Sequence, residues 1–123
     1  MGSMFEVISR RQDEGGENFD LSVAGDHFIY KAHFPGEPVT PGVCLIQAGV
    51  ELLELSTGEA LVPVRIKNVK FLRIINPLET PAISVTLRKT VREGNLVSSQ
   101  ISFVSGEETF AKISVICQTE EFA

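Results

Sequence analysis

The stretch His33-Phe34-Pro35-Gly36-Glu37-Pro38-Val39-Thr40-Pro41-Gly42-Val43 decides how this chain is read. Proline fixes φ and lacks an amide donor, so three prolines within seven residues, Pro35, Pro38 and Pro41, predict a stiff, shaped loop. Thr40-Pro41-Gly42 then offers an N-cap hydroxyl and a proline at the first helical position, and no breaker except Gly49 follows between Val43 and Leu55. A long helix is expected there. Val43, Ile46, Val50 and Leu53 recur at helical spacing, and Leu45, Ala48, Leu52 and Leu55 widen the stripe until only Gln47, Glu51 and Glu54 stay polar. Such a helix is expected to be buried on most sides, and Gly58 is placed to end it in the left-handed conformation.

Working outward, the segments on both sides read as β. Phe5 to Arg10 and Phe19 to Val23 tend to alternate apolar and polar residues across an Asp13-to-Glu17 turn. After the helix, Leu61 to Ile75, Ala82 to Arg92, Leu96 to Val104 and Thr109 to Gln118 are rich in β-branched residues. Glu93-Gly94-Asn95 and Ser105-Gly106-Glu107-Glu108 separate the last three as hairpin turns, and Asn76-Pro77 breaks the first from the second. These predict antiparallel strands joined in series. Two strands, a proline-rich loop, one apolar helix and four strands make an α+β pattern, in which the sheet must wrap the helix to bury it.

Composition narrows the function classes. With 123 residues, 43% of them hydrophobic, one domain is expected. Met1-Gly2-Ser3 before Met4 reads as a cloning scar, which leaves residues 4–123 as that domain. Eleven Lys and Arg against sixteen Asp and Glu give a net charge of −5, and no basic run is present, which argues against nucleic acid and anionic membranes as partners. No apolar run approaches the ~20 residues of a membrane span. Cys44 and Cys117 form neither a zinc-ligand spacing nor a disulfide framework, and with no secretion leader a cytoplasmic location is expected. No metal, nucleotide or flavin is implied, because there is no ligand cluster and no phosphate-binding glycine loop before the helix.

The chemistry is concentrated in the opening stretch. A neutral His33 can accept a proton, since an unperturbed imidazole titrates near pH ~6.5. Nine residues on, the amides of Gly42 and Val43 are free at a helix N-terminus, where partial positive charge stabilises a developing oxyanion. A base and an oxyanion site facing an apolar tunnel suit proton abstraction beside a thioester carbonyl. A lone loop histidine is also commonly structural, and the residues alone leave both readings open.

HFPGEPVTPGV resembles the signature loop of the 3-hydroxyacyl-(acyl carrier protein) dehydratases. The likeness extends upstream to Asp26-His27-Phe28-Ile29-Tyr30 and downstream to Ile66-Lys67-Asn68-Val69-Lys70-Phe71-Leu72-Arg73 with Asn76-Pro77. The resemblance implies the hotdog fold, a long central helix wrapped by an antiparallel sheet. It implies that His33 removes the C2 proton of a 3-hydroxyacyl thioester and that the Gly42 amide polarises the thioester carbonyl. Phe34, Pro41 and Val43 are expected to contact the substrate. It further implies a thioester carried on acyl carrier protein or coenzyme A, in a homodimer or a trimer of dimers with tunnels at the subunit interface. The family's third group is a Glu or Asp fourteen residues after the histidine, given by the other subunit to protonate the leaving 3-hydroxyl. Here that position is Gln47. An amide orients a hydroxyl or a water but has no proton to deliver at neutral pH.

Three readings follow from that departure. The chain is a dehydratase in which His33 serves in turn as base and acid, an acyl-thioester hydrolase in which Gln47 positions a water, or a non-catalytic acyl-binding or assembly partner. Glu51 and Glu54 share the face of Gln47, but one helical turn displaces a carboxylate by about 5.4 Å, so a solvated or interface stripe is expected. His27 is expected to be a structural residue, Phe28 and Tyr30 packing groups, and Cys44 a small buried side chain. Arg65, Lys67, Lys70 and Arg73 either meet an acidic carrier protein or simply solvate an exposed strand.

Overall fold

A computed structural model of the chain describes residues 4–27, 29–30 and 39–120. Its elements are β1 (Phe5–Asp13), β2 (Gly16–Val23), α1 (Gly42–Thr57), β3 (Leu61–Phe71), β4 (Ala82–Glu93), β5 (Leu96–Ser105) and β6 (Glu108–Thr119). The six strands form one antiparallel sheet in the order β1-β2-β4-β5-β6-β3. Burial alternates along the inner strands: on β6, Ala111, Ile113, Val115 and Cys117 face inward while Lys112 and Gln118 are exposed. Phe19, Leu21, Val85, Leu87, Ile101 and Phe103 extend that inner face across the neighbouring strands.

The helix lies on this face through Leu45, Ala48, Gly49, Val50, Leu52 and Leu53. Gly49 lets the helix sit close on β5: a Cβ there would stand 3.0 Å from Ile101 Cδ1. Burial on most sides, as expected from the wide apolar stripe, is not what a single protomer achieves. Val43 is 71% exposed and Leu55 51%, because the sheet covers one side of the helix only. Gly58 ends the helix as anticipated, with φ 75° and its amide donating to Glu54 O at 2.8 Å.

The strands are not simply joined in series. β3 pairs with β6 and lies at the sheet edge, so the chain crosses over before entering β4. β3 also stops at Phe71, short of the expected Ile75. Leu72 and Arg73 both donate their amides to Phe110 O, and Ile75 turns inward to become fully buried. Asn76 then organises the connection, its side chain accepting from Leu78 N and its carbonyl from Glu79 N and Thr80 N.

Two carboxylates fix the helix to the sheet. Glu17 accepts from Ser56 Oγ at 3.1 Å and pairs with Arg10. Glu54, expected on a solvated or interface stripe, instead accepts from Leu61 N at 2.8 Å and so holds the first residue of β3. On the outer face Asp20 accepts from Ser84 Oγ and Ser9 Oγ, both at 2.6 Å, and pairs with Arg11. Those contacts hold its carboxyl below the usual carboxylate range and tie β1, β2 and β4 together.

Candidate active site at the helix start

Pro41, rather than Thr40, is the N-cap of α1, with φ −61° and ψ 142° and no side-chain capping bond. The expected capping hydroxyl is engaged elsewhere. Thr40 Oγ1 donates to Ile75 O at 3.0 Å, the Thr40 amide reaches the same oxygen at 3.0 Å, and Tyr30 OH lies 2.7 Å from Thr40 Oγ1. Because the single Thr40 hydroxyl proton goes to Ile75, Tyr30 must be the donor to Thr40. Burial pushes the Tyr30 phenol up. The helix entry is thus pinned from the β3–β4 connection, with no side-chain cap at Pro41. Cys44 N donates to Pro41 O at 3.0 Å, and among the described residues none accepts from the amides of Gly42 or Val43.

Gly42 meets a neighbour that its sequence context does not announce. A Cβ on Gly42 would stand 2.6 Å from Cζ and 2.8 Å from Cε2 of Phe71. Phe71 is the last residue of β3, held at its base by the pairing with Ala111, and its ring remains 52% exposed. One wall of the helix N-terminus is therefore aromatic.

Around the helix from Gly42, a cavity of about 270 Å³ is lined by Met4, Phe5, Ile29, Val43, Cys44 and Ala48, with His27, Gln47 and Glu51 as its polar members. Gln47 Nε2 donates to Glu51 Oε1 at 3.4 Å. His27 Nδ1 accepts from Ile29 N at 3.2 Å, which places the proton of the neutral ring on Nε2. Cys44 is half-buried, and burial pushes its thiol up, so it is a protonated wall group rather than a nucleophile.

Of the residues singled out in the sequence, the structure gathers Val43 and Gln47 at this cavity and Pro41 and Gly42 at the adjoining helix start. His33 and Phe34 lie outside the described residues, as does Phe28. His27 and Glu51, read as structural and as solvated or interface residues, both line the cavity. Their spacing to Gln47 is visible in the sequence, but the packing of Met4 and Phe5 at the start of β1 against the same cavity is not. Of the strand cations, Arg73 pairs with Glu108 at 3.5 Å, while Lys70 stands opposite Lys112 on the outer sheet face. Among the described residues no three His, Cys, Asp or Glu side chains converge as metal ligands, and no helix is long and apolar enough to cross a membrane.

Residues 9–110 match the sequence model of a family described as ApeI-like, ApeI dehydratase. The chain is 34% identical over 94 residues to the 3-hydroxyacyl-(acyl carrier protein) dehydratase FabZ of Latilactobacillus sakei subsp. sakei (strain 23K), covering 71% of this chain and 66% of that protein. It is 31% identical over 87 residues to the FabZ of Clostridium acetobutylicum, covering 65% and 61%. The chain therefore spans 61–66% of the length of these curated relatives. Among solved structures, the dehydratase heterocomplex ApeI:P from Xenorhabdus doucetiae superposes with a TM-score of 0.72 at 17% identity, covering 92% of this chain and 96% of that one. A hypothetical thioesterase with coenzyme A from Streptococcus pneumoniae TIGR4 superposes with a TM-score of 0.65 at 8% identity, covering 94% and 85%. At those identities the likeness is one of architecture, and the architecture is the hotdog fold.

Proposed function

Because the chain belongs to the ApeI-like dehydratase family, we propose that it converts 3-hydroxyacyl thioesters, on acyl carrier protein or coenzyme A, into enoyl thioesters and water. The observation that carries this reading is the helix start, where the amides of Gly42 and Val43 have no acceptor among the described residues and a largely apolar cavity holding Gln47 adjoins them. In the reaction His33 takes the C2 proton while the Gly42 amide stabilises charge on the thioester oxygen. The C2 electron pair forms the C2–C3 double bond, the C3–O bond breaks, and the hydroxyl leaves as water with the proton that His33 returns. Gln47 orients that hydroxyl, and Phe34, Pro41 and Val43 contact the substrate. No cofactor is required by these steps.

The assembly proposed is a homodimer, or a trimer of dimers. β3 is an edge strand carrying exposed Val62, Val64 and Ile66, and the helix leaves Val43 and Leu55 uncovered on one side. A two-fold partner covers an open edge and an apolar face together. One observation favours a second reading of the partner. Gln47 is exposed in the protomer, and the resemblance assigns its position to the site that holds the other subunit's histidine. A non-identical partner with Glu or Asp at that position would complete the His33 site, and the similar Xenorhabdus doucetiae protein is by its name a heterocomplex.

Purified protein incubated with 3-hydroxyacyl and enoyl thioesters of several lengths, with both thioester and thiol followed by mass spectrometry, tests the proposal. Enoyl thioester without free thiol is expected, and His33→Ala should abolish it with the fold intact. Free thiol would make the chain a hydrolase, and neither product from the purified chain alone would leave an acyl-binding subunit.

A further inference from the structure

Residues 47 and 51 are one helical turn apart, about 5.4 Å along the axis, which separates them too far to serve one hydroxyl if both side chains point straight outward. They do not. Helical side chains lean toward the N-terminus, and Glu51 leans back until its Oε1 accepts from Gln47 Nε2 at 3.4 Å. Both groups line the same cavity of about 270 Å³, whose other walls include Met4, Phe5, Ile29 and Val43. Among the described residues Glu51 is the one carboxyl that lines it. Glu54, the other acid on that stretch of helix, does not line it and accepts from Leu61 N. His27 has its Nδ1 engaged in accepting from Ile29 N.

We infer that Glu51 is the general acid of this site, reaching back along the helix to do at the leaving hydroxyl what a carboxyl at position 47 does elsewhere in the family. The inference rests on the dehydratase reading and deepens it. Gln47 then has two tasks: its N–H holds Oε1 of Glu51, and its own carbonyl accepts from the substrate hydroxyl. The second oxygen of Glu51 carries the proton. In the step, the base takes the C2 proton, the C–H pair becomes the C2–C3 π bond, and the C3–O pair leaves with oxygen. Oxygen takes the proton from Glu51, in place of the one His33 would otherwise return, and departs as water. The base is left protonated and Glu51 ionised, and proton exchange with solvent restores both after the product leaves.

The experiment compares enoyl thioester formation by wild type, Glu51→Gln and the double variant Gln47→Glu/Glu51→Gln, each checked for folding and oligomeric state. Glu51→Gln should lose about 10²-fold or more in kcat, the usual worth of a general acid. The double variant, which moves the carboxyl to the family's position, should recover to within about 10-fold of wild type. The pH profile adds a readout that packing alone would not move. kcat is expected to fall toward high pH in wild type, to lose that fall in Glu51→Gln and to regain it in the double variant. A Glu51→Gln enzyme as active as wild type overturns the role of Glu51 and leaves the dehydratase reading standing. So does a folded double variant that stays as inactive as Glu51→Gln. A wild-type chain that makes no enoyl thioester at all removes both.

Discussion

The ring of Phe71 rests on the backbone of Gly42, so close that a methyl group on Gly42 would stand 2.6 Å from the ring carbon Cζ. Gly42 is not among the positive-φ residues, so its backbone conformation does not demand glycine. What crowds it is the aromatic wall, which a Cβ would force to shift. A residue that reads in the sequence as a catalytic amide donor is thus also where β3 meets the helix start.

Gly42→Ala is therefore expected to destabilise the fold by about 1–3 kcal/mol, the usual cost of overpacking, read as a lower urea midpoint with an unchanged slope. Phe71→Ala in the same chain should recover most of that loss, because the clash needs both partners. If the two substitutions simply add, the contact does not set the residue at position 42.

Much of this architecture is legible in local pattern. Period-two alternation places β1 and β2, and β-branched composition between turn signals places β5 and β6, within a few residues of their observed bounds, and the glycine after Thr57 ends the helix where expected. What escapes is whatever depends on a distant partner. Thr40 sits where a capping hydroxyl belongs, but the carbonyl of Ile75, 35 residues away, competes for its proton. β3 has the composition of any strand, and nothing in it tells that β6 rather than β4 is its neighbour. The site divides in the same way. The HFPGEPVTPGV loop is readable in the residues and the Gln47 departure through the resemblance to the dehydratases, whereas the return of Glu51 toward Gln47 and the aromatic wall at Gly42 arise from side-chain lean and tertiary packing.

Alkaline pH should weaken the fold beginning near the thiol range. Cys117 is fully buried, and burial, with the Glu54 carboxylate nearby, pushes its thiol from 9.0 up to about 11. As pH rises past 9.0 the unfolded chain releases that proton while the folded chain keeps it, so the unfolded state binds fewer protons and stability falls between 9.0 and about 11. Cys44 and Tyr30, raised by burial as well, add a fall of the same sign. Cys117→Val should shrink the drop in urea midpoint between pH ~9 and ~10 while leaving stability at pH ~7 nearly unchanged. An identical drop in wild type and variant would assign the alkaline loss to other groups.

The open edge and the bare side of the helix lead to a second stability expectation. Val64 on β3 is 52% exposed and Leu55 on the helix 51%. Sedimentation at micromolar concentration should show little monomer. The pair Leu55→Lys and Val64→Lys should shift the chain to monomer by about 100-fold or more in dissociation constant, since charges would be buried without partners. A wild-type chain that sediments as monomer with full thermal stability would remove the shared site altogether.

Gln47→Glu is the substitution on which the family pattern and this chain differ most directly. It restores a carboxyl at nearly the same volume, but it does so beside Glu51, whose Oε1 lies 3.4 Å from the nitrogen being replaced. Two carboxyls at that range resist ionising together, so the pair retains a proton that a single exposed acid would lose. The variant thereby gains a donor at the position the family uses but loses the amide that holds Glu51, so with Glu51 already the acid, dehydration per subunit should stay within about 10-fold of wild type, and a rise of about 10-fold or more would mean that wild type lacks an acid and would overturn the role of Glu51. The measurement is enoyl thioester and free thiol formed side by side by wild type and variant, with oligomer content checked for each. If Gln47 instead aligns a water for thioester hydrolysis, thiol release changes and dehydration stays undetectable. A non-catalytic acyl-binding chain gains nothing from the change. Loss of an existing dehydratase activity on introducing Glu would show that the amide itself, holding Glu51 and the substrate hydroxyl at once, is what the site uses, and that a second acid displaces rather than supplies the working proton.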